Sequence, residues 1–183
     1  MTDAFFFGYG SLVNRATHGH DGVGRARIGG WRRAWRRTPL RGLCYLTAVR
    51  CEDSAIDGLV ARVAGGDFAA LDLREAAYDR LDAAHQVTPA QANVVIYAIS
   101  PHTSLPADAD HPILLSYLDV VMQGYLREYG VAGADDFVAS TDGWQAPVLD
   151  DRAKPRYARA QKLSAEERGI VDEMLSRVGS RII

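Results

Sequence analysis

At 183 residues, 48% of them apolar and 24% charged, the chain is long enough for one domain with a sizeable core and short for two. A formal net charge of −2 argues against a dedicated nucleic-acid binder or a polybasic membrane anchor, and no apolar run approaches a bilayer span. Cys44 and Cys51 form no CxxC pair and are too few for a structural zinc site. No leader pattern marks Met1-Thr2-Asp3, so a cytoplasmic protein with free thiols is expected.

Residues 4–7 are an apolar run that stops at Gly8-Tyr9-Gly10, which predicts a strand feeding a turn. Glycines there let backbone N–H groups converge into a nest able to hold a carboxylate or phosphate. A plain strand-ending turn accounts for the same residues, and neither a Walker loop nor a dinucleotide fingerprint follows. Further strands are predicted at 25–37, 43–49, 59–64 and 94–99, with breaks at Gly29-Gly30, at Pro39 with Gly42, and at Asp57-Gly58. Several short strands at this spacing suggest a closed or nearly closed sheet. Within the second strand, arginines from Arg25 to Arg37 interleave with Trp31 and Trp35. That pattern suits single-stranded RNA, or a strand with solvated arginines on one face and tryptophans packed on the other; the near-neutral charge favours the second.

A short helix is predicted to begin at Asp67. Phe68, Leu71, Glu75 and Tyr78 would share its inner face, so Glu75 occupies a place that should be apolar. From spacing alone the simpler account is a helix that ends near Ala76. Glu75 would then be partly solvated, or paired with Arg74 or Arg80. The next helix is expected at 112–129, with Pro112 at its first turn, Gly130 at its stop, and Leu114, Tyr117, Leu118, Val121, Tyr125 and Leu126 along its apolar face. Residues 149–158 read as a loop or an edge-packed connection. Ser164-Ala-Glu-Glu167 is a capping box that starts a last helix over about 165–178, with Ile170, Val171, Met174, Leu175 and Val178 facing the core. The five histidines show no metal-ligand spacing, and no GxSxG elbow surrounds Ser11, Ser54 or Ser116.

Taken in order, Phe7-Gly8-Tyr9-Gly10-Ser11-Leu12, Leu71-Asp72-Leu73-Arg74-Glu75 with Tyr78, and Ser116-Tyr117-Leu118-Asp119 through Gly124-Tyr125-Leu126 resemble the γ-glutamylcyclotransferase superfamily, nearest to its ChaC-like, glutathione-degrading branch. The resemblance spans about residues 4 to 130. It implies an α+β fold, a small mixed β-barrel flanked by helices, with 1–183 as a single domain. It places backbone amides of Tyr9, Gly10, Ser11 and Leu12 against a γ-glutamyl group, the acid/base glutamate at Glu75, and a pocket tyrosine at Tyr78 or Tyr125. It calls for no metal and no cofactor; its partner is a small γ-glutamyl compound, cyclised to 5-oxoproline with release of an amine or peptide. The short stretch Glu75-Ala76-Ala77-Tyr78 and the segment 144–157 depart from the glutathione-specific members. The leaving group therefore stays open among Cys-Gly, an amino acid and an amine, and a non-catalytic module that senses small carboxylates is the alternative on the same scaffold. Oligomeric state is not legible.

Overall fold

Ala4–Gly8 (β1), Gly24–Thr38 (β2) and Arg41–Val63 (β3) form the spine of the protein in the computed structural model, which describes residues 3–39 and 41–183. Met1 and Thr2, part of the stretch searched for a leader, lie outside the described residues. Asp79–Asp82 (β4), Val87–Thr88 (β5) and Val94–Ala98 (β6) complete a sheet ordered β4-β6-β1-β3-β2-β5. The sheet is mixed, because β1 pairs antiparallel with β3 and parallel with β6. It curls into a half-barrel. Leu105–Pro106 (β7) and Thr141–Asp142 (β9) attach to β2, while Ile113–Leu114 (β8) and Val148–Leu149 (β10) pair parallel beside it.

Two of the expected breaks are not breaks. Residues 43–49 and 59–63 belong to one continuous strand, β3, of 23 residues, and Ala64 already begins a 3₁₀ turn. A side chain at Gly58 would place its Cβ 2.3 Å from the Gly8 carbonyl oxygen and 2.7 Å from the Phe7 ring, so this glycine serves close approach to β1 instead of a turn. Gly29-Gly30 is a bulge within β2, where the register shifts between Gly29 and Trp31 and Gly30 adopts φ 78°.

Side-chain alternation along β1 divides the interior into two parts. Phe7 and Tyr9 enter the main core with Trp31, Trp35, Leu46, Leu118, Val121 and Tyr125. Phe6 faces the other way, into a smaller cluster with Leu12, Leu71 and Tyr97. The basic run corrects a second expectation. Arg33 shares the buried face of β2 with Trp31 and Trp35 and is wholly inaccessible. It is held by the Tyr125 hydroxyl at 2.6 Å and by the Asp57 carbonyl, with its guanidinium over the Tyr125 and Phe137 rings.

Ala69–Arg74 (α1) is only six residues long, and Glu75 is its C-cap, so Tyr78 does not lie on the helix. The helix expected from Pro112 begins at Leu115 instead, because Ile113 and Leu114 are extended and pair with Val148 and Leu149 of β10. Gly130, with φ 71°, interrupts the helical path as expected, but helix resumes beyond it and the element (α2) runs Leu115–Ala139. Ala165–Arg177 (α3) has its capping box: the Glu167 amide donates to Ser164 Oγ at 3.1 Å, and the Ser164 amide to Glu167 Oε2 at 2.8 Å. Val171, Met174 and Leu175 are its buried face. Among the described residues, no helix is long and apolar enough to cross a membrane.

Candidate active site

The chain leaves β1 at Gly8 and turns through Gly10 into a 3₁₀ turn, Ser11–Val13, followed by a second, Arg15–Thr17. Val13 donates to the Gly10 carbonyl at 2.9 Å and Asn14 to that of Ser11 at 3.1 Å. The amides of Ser11 and Leu12 thus belong to the open N-terminal end of the turn. Tyr9 is buried, and its hydroxyl donates to the Tyr97 carbonyl at 2.6 Å.

Three contacts set this loop. The Asn14 side chain donates to the Val120 carbonyl at 3.0 Å and to Gln123 Oε1 at 2.9 Å, which clamps the loop to α2. Gly124 permits the approach: a Cβ there would sit 2.7 Å from the Asn14 nitrogen. On the other side His18 Nε2 lies 3.1 Å from the Leu12 carbonyl. Burial lowers the His18 pKa to about 4, so the ring is neutral near pH 7 and satisfies that carbonyl through an Nε2–H.

Arg74 joins the loop to α1. Its guanidinium donates to the Thr17 carbonyl at 3.0 Å and to Ser11 Oγ at 3.3 Å, and Nε lies 3.1 Å from Glu75 Oε1. The Glu75 side chain is 17% exposed. Burial raises its carboxyl above the usual glutamate range, and the nearby positive charges of Arg74 and Arg159 only partly offset that. Both readings of the sequence therefore meet in Glu75: it ends the helix and pairs with Arg74, and it is also withdrawn from water.

Tyr9, Gly10, Ser11, Leu12, Glu75 and Tyr78 line one small inner cavity with Tyr117. It adjoins a wider cleft of about 380 Å³, with Ser11, Glu75, Tyr78 and Tyr117 common to both. Burial raises the Tyr78 and Tyr117 hydroxyls well above the ordinary tyrosine range, so both are donors at neutral pH; Tyr78 donates to the Leu46 carbonyl at 2.9 Å. Tyr125 stands elsewhere. Its hydroxyl lies behind the loop, its one proton placed between the Tyr9 carbonyl at 2.9 Å and the Asp57 carbonyl at 2.8 Å, while it accepts from Arg33. Its place is beneath the site, as a support.

Sequence reasoning assigned no site role to Tyr117, Arg156, Tyr157 or Arg159, all of which line the cleft. The 149–158 segment reaches it because Asp151 accepts from the Ser116 amide at 2.7 Å, the Ser116 hydroxyl at 2.6 Å and the Arg156 amide at 2.8 Å. This pins the segment to the first turn of α2 and sets Tyr157 edge-on against Tyr117, with ring centroids 5.0 Å apart. The run Asp150-Asp151-Arg152 before Pro155 was the only signal of it.

No protein-family model matches the sequence, and no curated protein matches it by sequence. Solved structures do match in shape. An uncharacterized protein from Homo sapiens is 14% identical with a TM-score of 0.59, and a γ-glutamyl cyclotransferase is 14% identical with a TM-score of 0.56; each match covers 94% of this chain and 99% of the other. YkqA from Bacillus subtilis is 15% identical with a TM-score of 0.55, over 74% of this chain and 53% of that one. At these identities the likeness establishes the fold, which is γ-glutamylcyclotransferase-like.

Proposed function

We propose that this protein cyclises a γ-glutamyl amide or peptide to 5-oxoproline, releasing the amine or peptide, and that Glu75 moves the proton. The observation that carries this reading is the half-buried Glu75 carboxyl, with its raised pKa, on the same cavity as the loop 9–12. The γ-glutamyl portion lies against the open amides of that loop, with Tyr78 and Tyr117 as walls. Glu75 takes a proton from the substrate's α-ammonium, and the freed amine attacks the γ-carbonyl to close a five-membered ring. The C–N bond to the leaving group then breaks as Glu75 returns the proton to the departing nitrogen. The reaction is a carbon–nitrogen cleavage by intramolecular acyl transfer, and its atoms balance without a co-reactant. Orientation of an intramolecular nucleophile can supply an effective molarity of ~10⁵ M or more. A carboxyl whose pKa is drawn toward neutrality can both accept and donate, an effect typically worth roughly 10²–10⁴-fold. In this reading the protein works in the cytoplasm, where Cys44 and Cys51, unpaired here, stay reduced.

The test is 5-oxoproline release across a panel of γ-glutamyl amino acids, peptides and amines, glutathione among them, with Glu75→Gln beside the parent. Release by the parent and its collapse in a folded Glu75→Gln protein is the expected result. Binding without release from any compound would replace this reading with that of a non-catalytic module for small carboxylates.

A further inference from the structure

The cleft beyond Glu75 is lined by Arg41, Arg74, Arg156 and Arg159 against one carboxylate, Glu75, in a chain whose net charge is −2. We propose that this outer half of the cleft recognises a leaving group bearing two carboxylates. The favoured substrates would be γ-glutamyl derivatives of acidic amino acids or short γ-linked glutamate chains. The proposal rests on the cyclisation reading and adds to it the chemistry of the part that departs.

Arg74 is committed to Thr17, Ser11 and Glu75. The other three are not committed to any acid: among the described residues Arg41, Arg156 and Arg159 form no ion pair. Arg41 reaches only the Tyr45 hydroxyl, at 3.1 Å. The chain pairs arginines nearby when it needs to, since Arg152 holds both Asp119 and Asp172. Solvated surface arginines are common, but these three surround one concavity with tyrosine walls. The backbone at Arg156 is also fixed, its amide donating to Asp151 Oδ2 at 2.8 Å, and its exposed side chain is free to turn to a ligand.

A planar guanidinium matches a carboxylate with two parallel hydrogen bonds. Two carboxylates would compensate most of the positive charge. A plain alkylamine would compensate none of it, and after release it takes up a proton and becomes a cation in a cationic cleft. An acidic amino acid leaves with a net negative charge.

Glutaryl amides lack the α-amino nucleophile and cannot cyclise, so they measure binding alone. Dissociation constants would be compared for glutaryl-glutamate, glutaryl-alanine and glutaryl-butylamide on the wild-type protein. The expected order is that of falling negative charge, with glutaryl-glutamate about tenfold tighter than the butylamide, the size of two or three charge pairs with the exposed Arg41, Arg156 and Arg159. Raised salt should narrow the range, and Arg156→Gln with Arg159→Gln should bring it within about twofold. Equal affinities in the wild type, or a preference that survives both salt and the double variant, would overturn the proposal. In parallel, 5-oxoproline release is followed from γ-glutamyl-glutamate and γ-glutamyl-butylamide. Equal efficiency on both would overturn the specificity while cyclisation stands. No release from either, with the binding order intact, would remove the cyclisation reading and leave an anion-reading cleft.

Discussion

Glu75 lines the cleft and Asp151 fastens the segment that borders it; both carboxylates are withdrawn from water, and their surroundings push them in opposite directions. Burial would raise Asp151, but the Ser116 hydroxyl and the amides of Arg156 and Ser116 together outweigh it and hold the carboxyl below the usual aspartate range. Glu75 has Arg74 beside it and no backbone donors, so burial prevails and its carboxyl rises. A carboxylate whose lone pairs are filled by local donors fastens structure. One left underfilled beside an open cavity keeps a proton affinity that chemistry can use.

Breaking that contrast should have its largest effect at Glu75. Glu75→Gln is expected to lower 5-oxoproline release by roughly 10²–10⁴-fold while thermal unfolding stays within about 1 kcal/mol of the parent or improves. A variant that keeps its turnover, or fails to fold, would make Glu75 a fastening group like Asp151. At Asp151 the pattern reverses. Asp151→Ala strands three donors and should cost roughly 2–3 kcal/mol in denaturant unfolding; a protein of undiminished stability would show that the 151–157 segment is held by other contacts.

Smaller effects lie in the loop. A Cβ at Gly10 would be 2.8 Å from the Tyr117 hydroxyl oxygen, so Gly10→Val should weaken substrate binding by the roughly 1–3 kcal/mol of an overpacked contact. Ser11→Ala removes only an acceptor 3.3 Å from Arg74 and should cost under about 1 kcal/mol. Equal, small losses in calorimetric titrations of the two variants would reduce the loop to a turn.

The finest test is pH. Because Glu75 is raised in the folded protein, its contribution to stability is fully present below the ordinary glutamate pKa and is lost as pH rises through the folded value. Because Asp151 is lowered, its contribution is present above the ordinary aspartate pKa and is lost as pH falls through the folded value. Unfolding of Glu75→Gln should therefore gain on the parent as pH rises, and that of Asp151→Asn should gain as pH falls. The same slope in both would erase the distinction.

Much of this arrangement could be read along the chain where the cause was local. The capping box at Ser164, the break in helical path at Gly130 and the apolar run ending at Gly8 each depend on residues within one turn of one another, and each lies where expected, although helix resumes beyond Gly130. The Asp57-Gly58 pair was misread because the need for glycine comes from Gly8 and Phe7, some fifty residues away. Arg33 was assigned to solvent because nothing near it reveals the Tyr125 hydroxyl and the Asp57 carbonyl that receive it. The loop 9–12 and Glu75 were legible through a family resemblance. Tyr157 and the cleft arginines were not, since a single aspartate, folding back 35 residues onto Ser116, decides where that segment lies.

Gly124 has no polar side chain and lies outside both cavities, yet the clearance of the site runs through it. Val13 and Asn14 rest on it at backbone distance, and Tyr117 and Tyr125 stand on the same helix. One added carbon would act as a shim, lifting the loop from the helix that carries its aromatic wall and widening the gap between Gly10 and Tyr117. Reacting groups misplaced by about 1 Å lose on the order of 10²-fold in rate. The tolerance of the whole site is therefore machined at a residue that touches no substrate, and the space left by an absent methyl group is as much a part of it as the carboxyl of Glu75.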